Sequence, residues 1–414
     1  MTRVLLSGYY GFKNTGDDVL LAASAWGARR SYGAEIGLAA KASALPVFPG
    51  SGLIRAAYPA VQRWRGEHRI RLWLEALRSR AIVFGGGSVF HTTARLAHVE
   101  NLLRLAGRGP HLAAGVSIGP FRSIAEERAC ARVLGRLAFL GLRDAESAAL
   151  ARALAPHVQS RLTFDLAPLL LLLENGSLEP PAARRGLGIA LCDHERFTNG
   201  DIRREALRRE RLAAVLRAID RDLFDELVLV DFNGHPELGD RRIHAEILAM
   251  AREAGIPARH EPYDPRPLAV LRTVAGLRAM LAMRLHACVF GFLARTPSVI
   301  LSYHPKSHGW AEQIGAPPSL VHDSVDFDPR EIARVVELAL QGRAPAPALS
   351  VETAVERARL NFPRLDREAL RAPPPVGGPR RGVHLDRAHA RGRDLEVIRP
   401  PRHERGRPER ALPE

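Results

Sequence analysis

"AMRLHACVFGFLARTPSVILSYHPKSHGW", residues 282–310, decides the fold. An apolar run that begins near 279 stops at Arg284 and meets a helical apolar segment carrying His286. A second short apolar run, 298–303, then ends in His304 and Lys306. Strand, helix and strand within one short stretch is the signature of a parallel α/β unit. Cations at the ends of two core strands need a separate reason.

Outward from this stretch the same alternation recurs. Strands are expected near 187–192, 226–232, 279–284 and 298–303, with helices between them such as 240–254, where Ile243, Ile247, Leu248 and Ala251 share a face. The first half carries strand patterns at 3–8, 35–40, 81–85, 112–118 and 138–142, helical patterns at 123–136 and 144–155, and a closing run "RLTFDLA" at 161–167. Between the halves, "ENGSLEPPAARR" at 174–185 has Asn-Gly and Pro-Pro and no periodicity, which marks a linker. The expected organisation is a Rossmann-like lobe over 1–173, the linker, a second Rossmann-like lobe over 186–345, a C-terminal helix within 346–371, and a disordered Arg/Pro-rich tail over 372–414. Two parallel-sheet lobes joined once make an interlobe cleft, with ligands expected beyond the carboxyl ends of the strands.

Composition narrows the class. The 414 residues carry a formal charge of +15, but lysine occurs only at 13, 41 and 306, and arginine supplies nearly all of the rest. Residues 371–414 alone hold 11 Arg against 6 acidic residues. No basic helix with interleaved aromatics and no nucleic-acid motif is present. The cysteines at 130, 192 and 288 are scattered, as in a reducing compartment. "MTRVLLSGYY" lacks a signal-peptide pattern, and no apolar run approaches a membrane span, so a cytoplasmic protein is expected.

Strand-end residues are the candidates for function. After the first strand, "GYYGFKNTGDDVLL" offers Gly8, Gly11, Gly16, Asn14 and Lys13, with Asp17 or Asp18 as helix cap. Such a loop either cradles an anion or sugar with its amides or is a plain turn. Gly85, Gly86 and Gly87 follow the third strand and are read as a loop that approaches a ligand. Arg143 ends the fifth strand, with Asp144 as helix cap. Arg284, His286, Ser302, His304 and Lys306 converge at one edge of the second lobe. Four cationic or titratable groups there suit a small, multiply charged anion, with His286 placed for proton transfer. No metal motif such as HExxH is present.

These pieces resemble the polysaccharide pyruvyl transferase family. "GYYGFKNTGDDVLL", "GGGSVF", "GVSIGPF", "RDAES", "DLAP" and "RLHACVFGFLARTPSVILSYHPK" occur in the family's order over roughly residues 3–315, and the N-terminus is similar to the cell-wall-polymer members. The resemblance implies a GT-B-like fold and transfer of the enolpyruvyl carbons of phosphoenolpyruvate onto two sugar hydroxyls as a cyclic ketal, with release of phosphate. It implies catalytic roles for Arg284 and His286 and a donor-binding role for Arg143. It implies no cofactor beyond phosphoenolpyruvate as co-substrate, and a saccharide acceptor, polymeric or lipid-linked. His304 departs from what relatives often carry. A lipid-linked acceptor would bring the Arg-rich surface to the inner membrane leaflet.

Two other classes fit parts of the pattern. A GT-B glycosyltransferase would use the same cationic edge for a nucleotide sugar, but no acidic set for ribose contacts follows the second-lobe strands. A non-catalytic binder of anionic polymers or membranes would use Arg-rich helices, such as "DIRREALRRER" at 201–211, and the tail.

Overall fold

The computed structural model describes residues 3–363 except 34, 42–44, 60, 108, 174–177, 179–182 and 199. The expected tail over 372–414 and most of the linker lie outside the described residues. Seven parallel strands form the first sheet: β1 (Arg3–Ser7), β2 (Glu35–Lys41), β3 (Ile54–Tyr58), β4 (Ala81–Phe90), β5 (Leu112–Ile118), β6 (Phe139–Leu142) and β7 (Gln159–Leu162), in the order 3-2-1-4-5-6-7. Six parallel strands form the second: β8 (Leu187–Ala190), β9 (Leu227–Val230), β10 (Ala258–Glu261), β11 (Ala279–Ala282), β12 (Ser298–Ser302) and β13 (Val321–Asp323), in the order 10-9-8-11-12-13. The strand order reverses between β1 and β4 and again between β8 and β11, where open α/β sheets bind their ligands.

Each sheet is buried on both faces, which is why its central strands read as continuous apolar runs. Val4, Leu6, Ala81 and Val83 face one core, while Leu5, Ile82 and Phe84 face another. In the second sheet, Met280 and Ala282 point to the same core as Val4 and Leu6, and Leu187, Ile189 and Leu281 point to a third. The first of these cores is therefore shared by both lobes. Phe164 of the first lobe packs on Trp310 of the second at 5.3 Å between ring centroids, and Phe292 packs on the same indole at 5.8 Å. The expected cleft is thus filled at its base by apolar packing.

The C-terminal helix Val351–Arg359 returns to the first lobe. Its last turn delivers Asn361, which is fully buried. The Asn361 carbonyl accepts from the Gly115 N–H and the Thr163 hydroxyl, both at 2.7 Å, and its amide donates to the Phe164 carbonyl at 2.9 Å.

Four edge strands escape the sequence reading, and two expectations are corrected. The edge strands β3, β7, β10 and β13 were not marked by apolar runs, because edge positions are half-exposed and carry charge. Gly85, Gly86 and Gly87 are not a loop but the middle of β4, paired with β5. A Cβ on Gly85 would stand 1.9 Å from the Ser24 hydroxyl, and one on Gly86 would stand 2.8 Å from Leu20. These glycines let the helix Thr15–Tyr32 press onto the strand, so close packing explains the first two. Finally, neither Asp17 nor Asp18 caps that helix. Asn14 does, its side chain accepting from the Gly16 and Asp17 N–H groups.

Candidate active site

The loop after β1 crosses to the second lobe. The Thr15 N–H donates to the Phe232 carbonyl at 2.9 Å, and the Gly234 N–H donates to the Lys13 carbonyl at 2.8 Å. Tyr263 donates its hydroxyl proton to Asp18 at 2.7 Å across the same seam. On the far side, Gln313 of the helix Pro305–Ile314 donates to the Arg143 carbonyl. The two switch points are thereby held face to face.

His286 lies in the first turn of the helix Leu285–Leu293. Gly16 of the first lobe is packed against it so closely that a Cβ there would stand 2.1 Å from its Nδ1. That contact is the reason for glycine at 16, and it fixes the imidazole from the opposite lobe. The Nε2 of His286 is buried and has no hydrogen-bond partner. Burial lowers its pKa; Asp165 opposes this, while Arg143 and Lys306 add to it. The ring is therefore neutral near pH 7. A buried, unpartnered imidazole nitrogen is costly in a structural residue and suited to a proton acceptor.

Charged and titratable groups surround it. Arg143, at the end of β6, donates through Nε to the Ser117 hydroxyl at 2.7 Å and through Nη1 to Asp165 at 3.0 Å. Ser117 in turn donates to Asp144, which caps the next helix as expected. Asp165, the aspartate of "DLAP", is thus the support for Arg143, a role the sequence reading did not assign. Lys306 is exposed at the second strand end, and its ammonium has no ion-pair partner among the described residues. Desolvation by the surrounding protein and the nearby Arg143 lower its pKa, against the pull of Asp17. Asp17 completes the group: burial and the adjacent Asp18 push its pKa up to about 8, although Lys306 and Arg143 act the other way. His91, beyond β4, also senses Lys306 and was not anticipated.

The remaining candidates serve the frame. Arg284 donates through Nε to the fully buried Asp240 at 2.9 Å, and a second bond runs from its Nη2 to the same oxygen. The other oxygen of Asp240 accepts from the Phe232 and Asn233 N–H groups, each at 2.9 Å. Arg284 thus secures the loop that receives Thr15 and Lys13. His304 caps the helix Pro305–Ile314, its Nδ1 accepting from the Lys306 N–H at 3.1 Å, and Ser302 donates to the His304 carbonyl at 3.3 Å. Together they fix the backbone that presents Lys306. Gly8 sits under the Tyr10 ring, which would collide with a Cβ at 2.3 Å.

Two other features lie outside this group. Asp231, His244 and His260 have ligand atoms within 4.8 Å of one another. However, His244 accepts from the Leu191 N–H through Nε2, so its Nδ1 holds the proton shared with Asp231, and neither nitrogen is left for a metal. A cavity of about 450 Å³ beside Tyr263 contains Asp264 and Arg266, which pair with each other, and none of the strand-end cations.

Two Rossmann-type lobes with a polar seam at facing switch points define the class as GT-B-like. In keeping with that, the structure is similar to a UDP-GlcNAc 2-epimerase from Methanocaldococcus jannaschii, with a TM-score of 0.55 at 10% identity, covering 87% of this chain and 99% of that one. It is also similar to a putative UDP-N-acetylglucosamine 2-epimerase from Listeria monocytogenes, with a TM-score of 0.52 at 11% identity, covering 89% of this chain and 94% of that one. At such identities the likeness shows the fold alone. No curated protein matches the sequence significantly. The profile of the polysaccharide pyruvyl transferases matches residues 14–305, and the chain belongs to that family.

Proposed function

We propose that the protein transfers the pyruvyl group of phosphoenolpyruvate onto two hydroxyls of a sugar, in a polysaccharide or its lipid-linked precursor, forming a cyclic ketal and releasing phosphate. The carrying observation is the buried, unpartnered Nε2 of His286 near Lys306, whose ammonium has no ion-pair partner among the described residues. Phosphoenolpyruvate carries a carboxylate and a phosphate on one carbon. Lys306 and the Nη2 of Arg143 supply a point charge and part of a fork for those two anions. Arg284 acts in this reading by holding the 232–234 loop, which positions Gly16 and Asp17.

Protons balance as follows. The carboxyl of Asp17, held protonated near neutrality, gives its proton to the methylene carbon as the adjacent carbon becomes electrophilic. A substrate anion bound nearby raises the Asp17 pKa further. The first sugar hydroxyl attacks that carbon and its proton goes to the neutral His286. Loss of phosphate and attack by the second hydroxyl close the ketal. Of the two hydroxyl protons, one restores Asp17 and the other leaves with phosphate. The nucleotide-sugar reading shares the fold and the cationic edge but has no acidic set for ribose, and in the helix of the anionic-polymer reading arginines are already paired. In Ile202–Ala218, Arg208 is bound to Glu195 at 2.8 Å and Arg209 to Glu246 at 2.5 Å.

The test is phosphate release and ketal formation with phosphoenolpyruvate and a panel of saccharide acceptors, in wild type, His286→Ala and Asp17→Asn. Loss of transfer by about 10²-fold or more in each variant is expected for acid and base roles. Full activity in His286→Ala overturns the mechanism, and turnover with a nucleotide sugar alone overturns the function.

A further inference from the structure

The helix Glu67–Arg78 is turned inside out. Among its large apolar side chains only Leu72 is buried, while Ile70, Trp73, Leu74 and Leu77 are 43%, 38%, 44% and 58% exposed. Its acids go the other way. Glu67 and Glu75 are 3% and 5% exposed. Glu67 accepts from the Arg63 N–H and from Arg71, and Glu75 pairs with Arg3 at 3.2 Å. A surface helix that served only to cover the sheet would bury its apolar stripe and leave its carboxylates in water.

The outward face is continued by Trp64, 48% exposed, in the preceding turn. It is rimmed by arginines: positions 63, 65, 69, 71, 78 and 80 are all arginine and all exposed. Among residues 61–80 the two glutamates are the only acids, and both are buried. What faces solvent is therefore tryptophan, aliphatic side chains and positive charge, with no exposed carboxylate. No helix among the described residues is long and apolar enough to cross a membrane.

We propose that this face docks the protein on an anionic lipid surface, with Trp73, Leu74, Leu77 and Trp64 entering the headgroup region and the surrounding arginines contacting lipid phosphates. Amphipathic helices with tryptophan and leucine on one side and basic residues beside them lie in the interface plane in this way. Charge selects this occupant over a second copy of the chain, because a self-complementary contact would bring the same arginines against each other. The Arg-rich helix Ile202–Ala218 is a weaker candidate, since it carries no tryptophan and turns Leu212, Val215 and Leu216 inward. The inference is independent of the reaction, as vesicle binding requires neither phosphoenolpyruvate nor His286. If the acceptor is lipid-linked, it gives the site access to it.

The test is co-sedimentation of the full chain with vesicles of mixed phosphatidylcholine and phosphatidylglycerol, and with phosphatidylcholine alone. Wild type is expected to partition onto the anionic vesicles, with binding weakened by added salt. The double variant Trp73→Glu/Leu77→Glu should lose most of that binding, and Arg65→Gln and Arg78→Gln about fivefold each. Melting temperature and the response to phosphoenolpyruvate should be unchanged in all of them, which separates lost docking from lost folding. Residues 371–414, with net charge +5, are the alternative source of binding to anionic vesicles, and binding through them would not depend on Trp73. Undiminished partitioning of the double variant therefore overturns the proposal. So does self-association of wild type, without vesicle binding, that the same substitutions abolish.

Discussion

Asp18 gives the most quantitative prediction. It is 1% exposed, faces the second lobe and accepts one hydrogen bond from Tyr263. Burial raises its carboxyl from 3.8 to about 7, despite that bond. At about 1.4 kcal/mol per pH unit, the ionised form is penalised in the folded state by on the order of 4 kcal/mol. Between the two values the folded protein keeps a proton that the unfolded chain has lost. Stability therefore falls as pH rises from about 4 to about 7, and the loss is complete above that window. Asp18→Asn keeps the volume and an acceptor for Tyr263 but cannot ionise. Urea unfolding of both proteins across about pH 4 to 9 should show the variant gaining on wild type throughout the lower window, to roughly 2–4 kcal/mol, and then levelling off. Asp17 stays in both proteins and loses an unfavourable neighbour in the variant, which adds to the gain. A difference that is flat with pH, or that favours wild type as pH rises, refutes the reasoning.

Other consequences follow from single contacts. Asn361→Leu leaves the Gly115 N–H and the Phe164 carbonyl buried without partners and should cost about 2–4 kcal/mol in unfolding experiments. Gly16→Ala places a methyl against the His286 ring; transfer should fall by about 10²-fold or more, and overpacking should also lower stability by about 1–3 kcal/mol as the ring is displaced. Arg284→Ala strands the buried Asp240 and should destabilise by about 3–5 kcal/mol, with part of that cost removed by Asp240→Asn in the same chain.

Much of the fold is legible because the central strands of a doubly covered parallel sheet must be apolar on both sides. β1, β4, β5, β11 and β12 all announce themselves in that way. β7, "QSRL", is mostly exposed and gives no such signal. Arg143, His286 and Lys306 are found by position alone, since strand ends are where ligands go. Their supports are not. Asp240, which holds Arg284, lies 44 residues away in sequence, and Asn361 lies 246 residues from Gly115. Side chains whose partners come from such distances carry no local pattern. The glycines of β4 and Gly16 were visible as glycines, but only the packing shows that a neighbouring side chain, not a ligand, demands the two whose Cβ would collide and Gly16. The helix Glu67–Arg78 has an ordinary amphipathic pattern, and periodicity does not say which face turns inward.

The seam around His286 is proposed to receive phosphoenolpyruvate. Thermal melting with phosphoenolpyruvate and, separately, with a panel of nucleotide sugars tests it most directly. A ligand at 100 times its dissociation constant adds roughly 2.7 kcal/mol to stability, which is a readable shift. Stabilisation by phosphoenolpyruvate that is lost in Lys306→Ala is expected. Stabilisation by a nucleotide sugar instead, or a phosphoenolpyruvate shift indifferent to Lys306, would contradict the proposal.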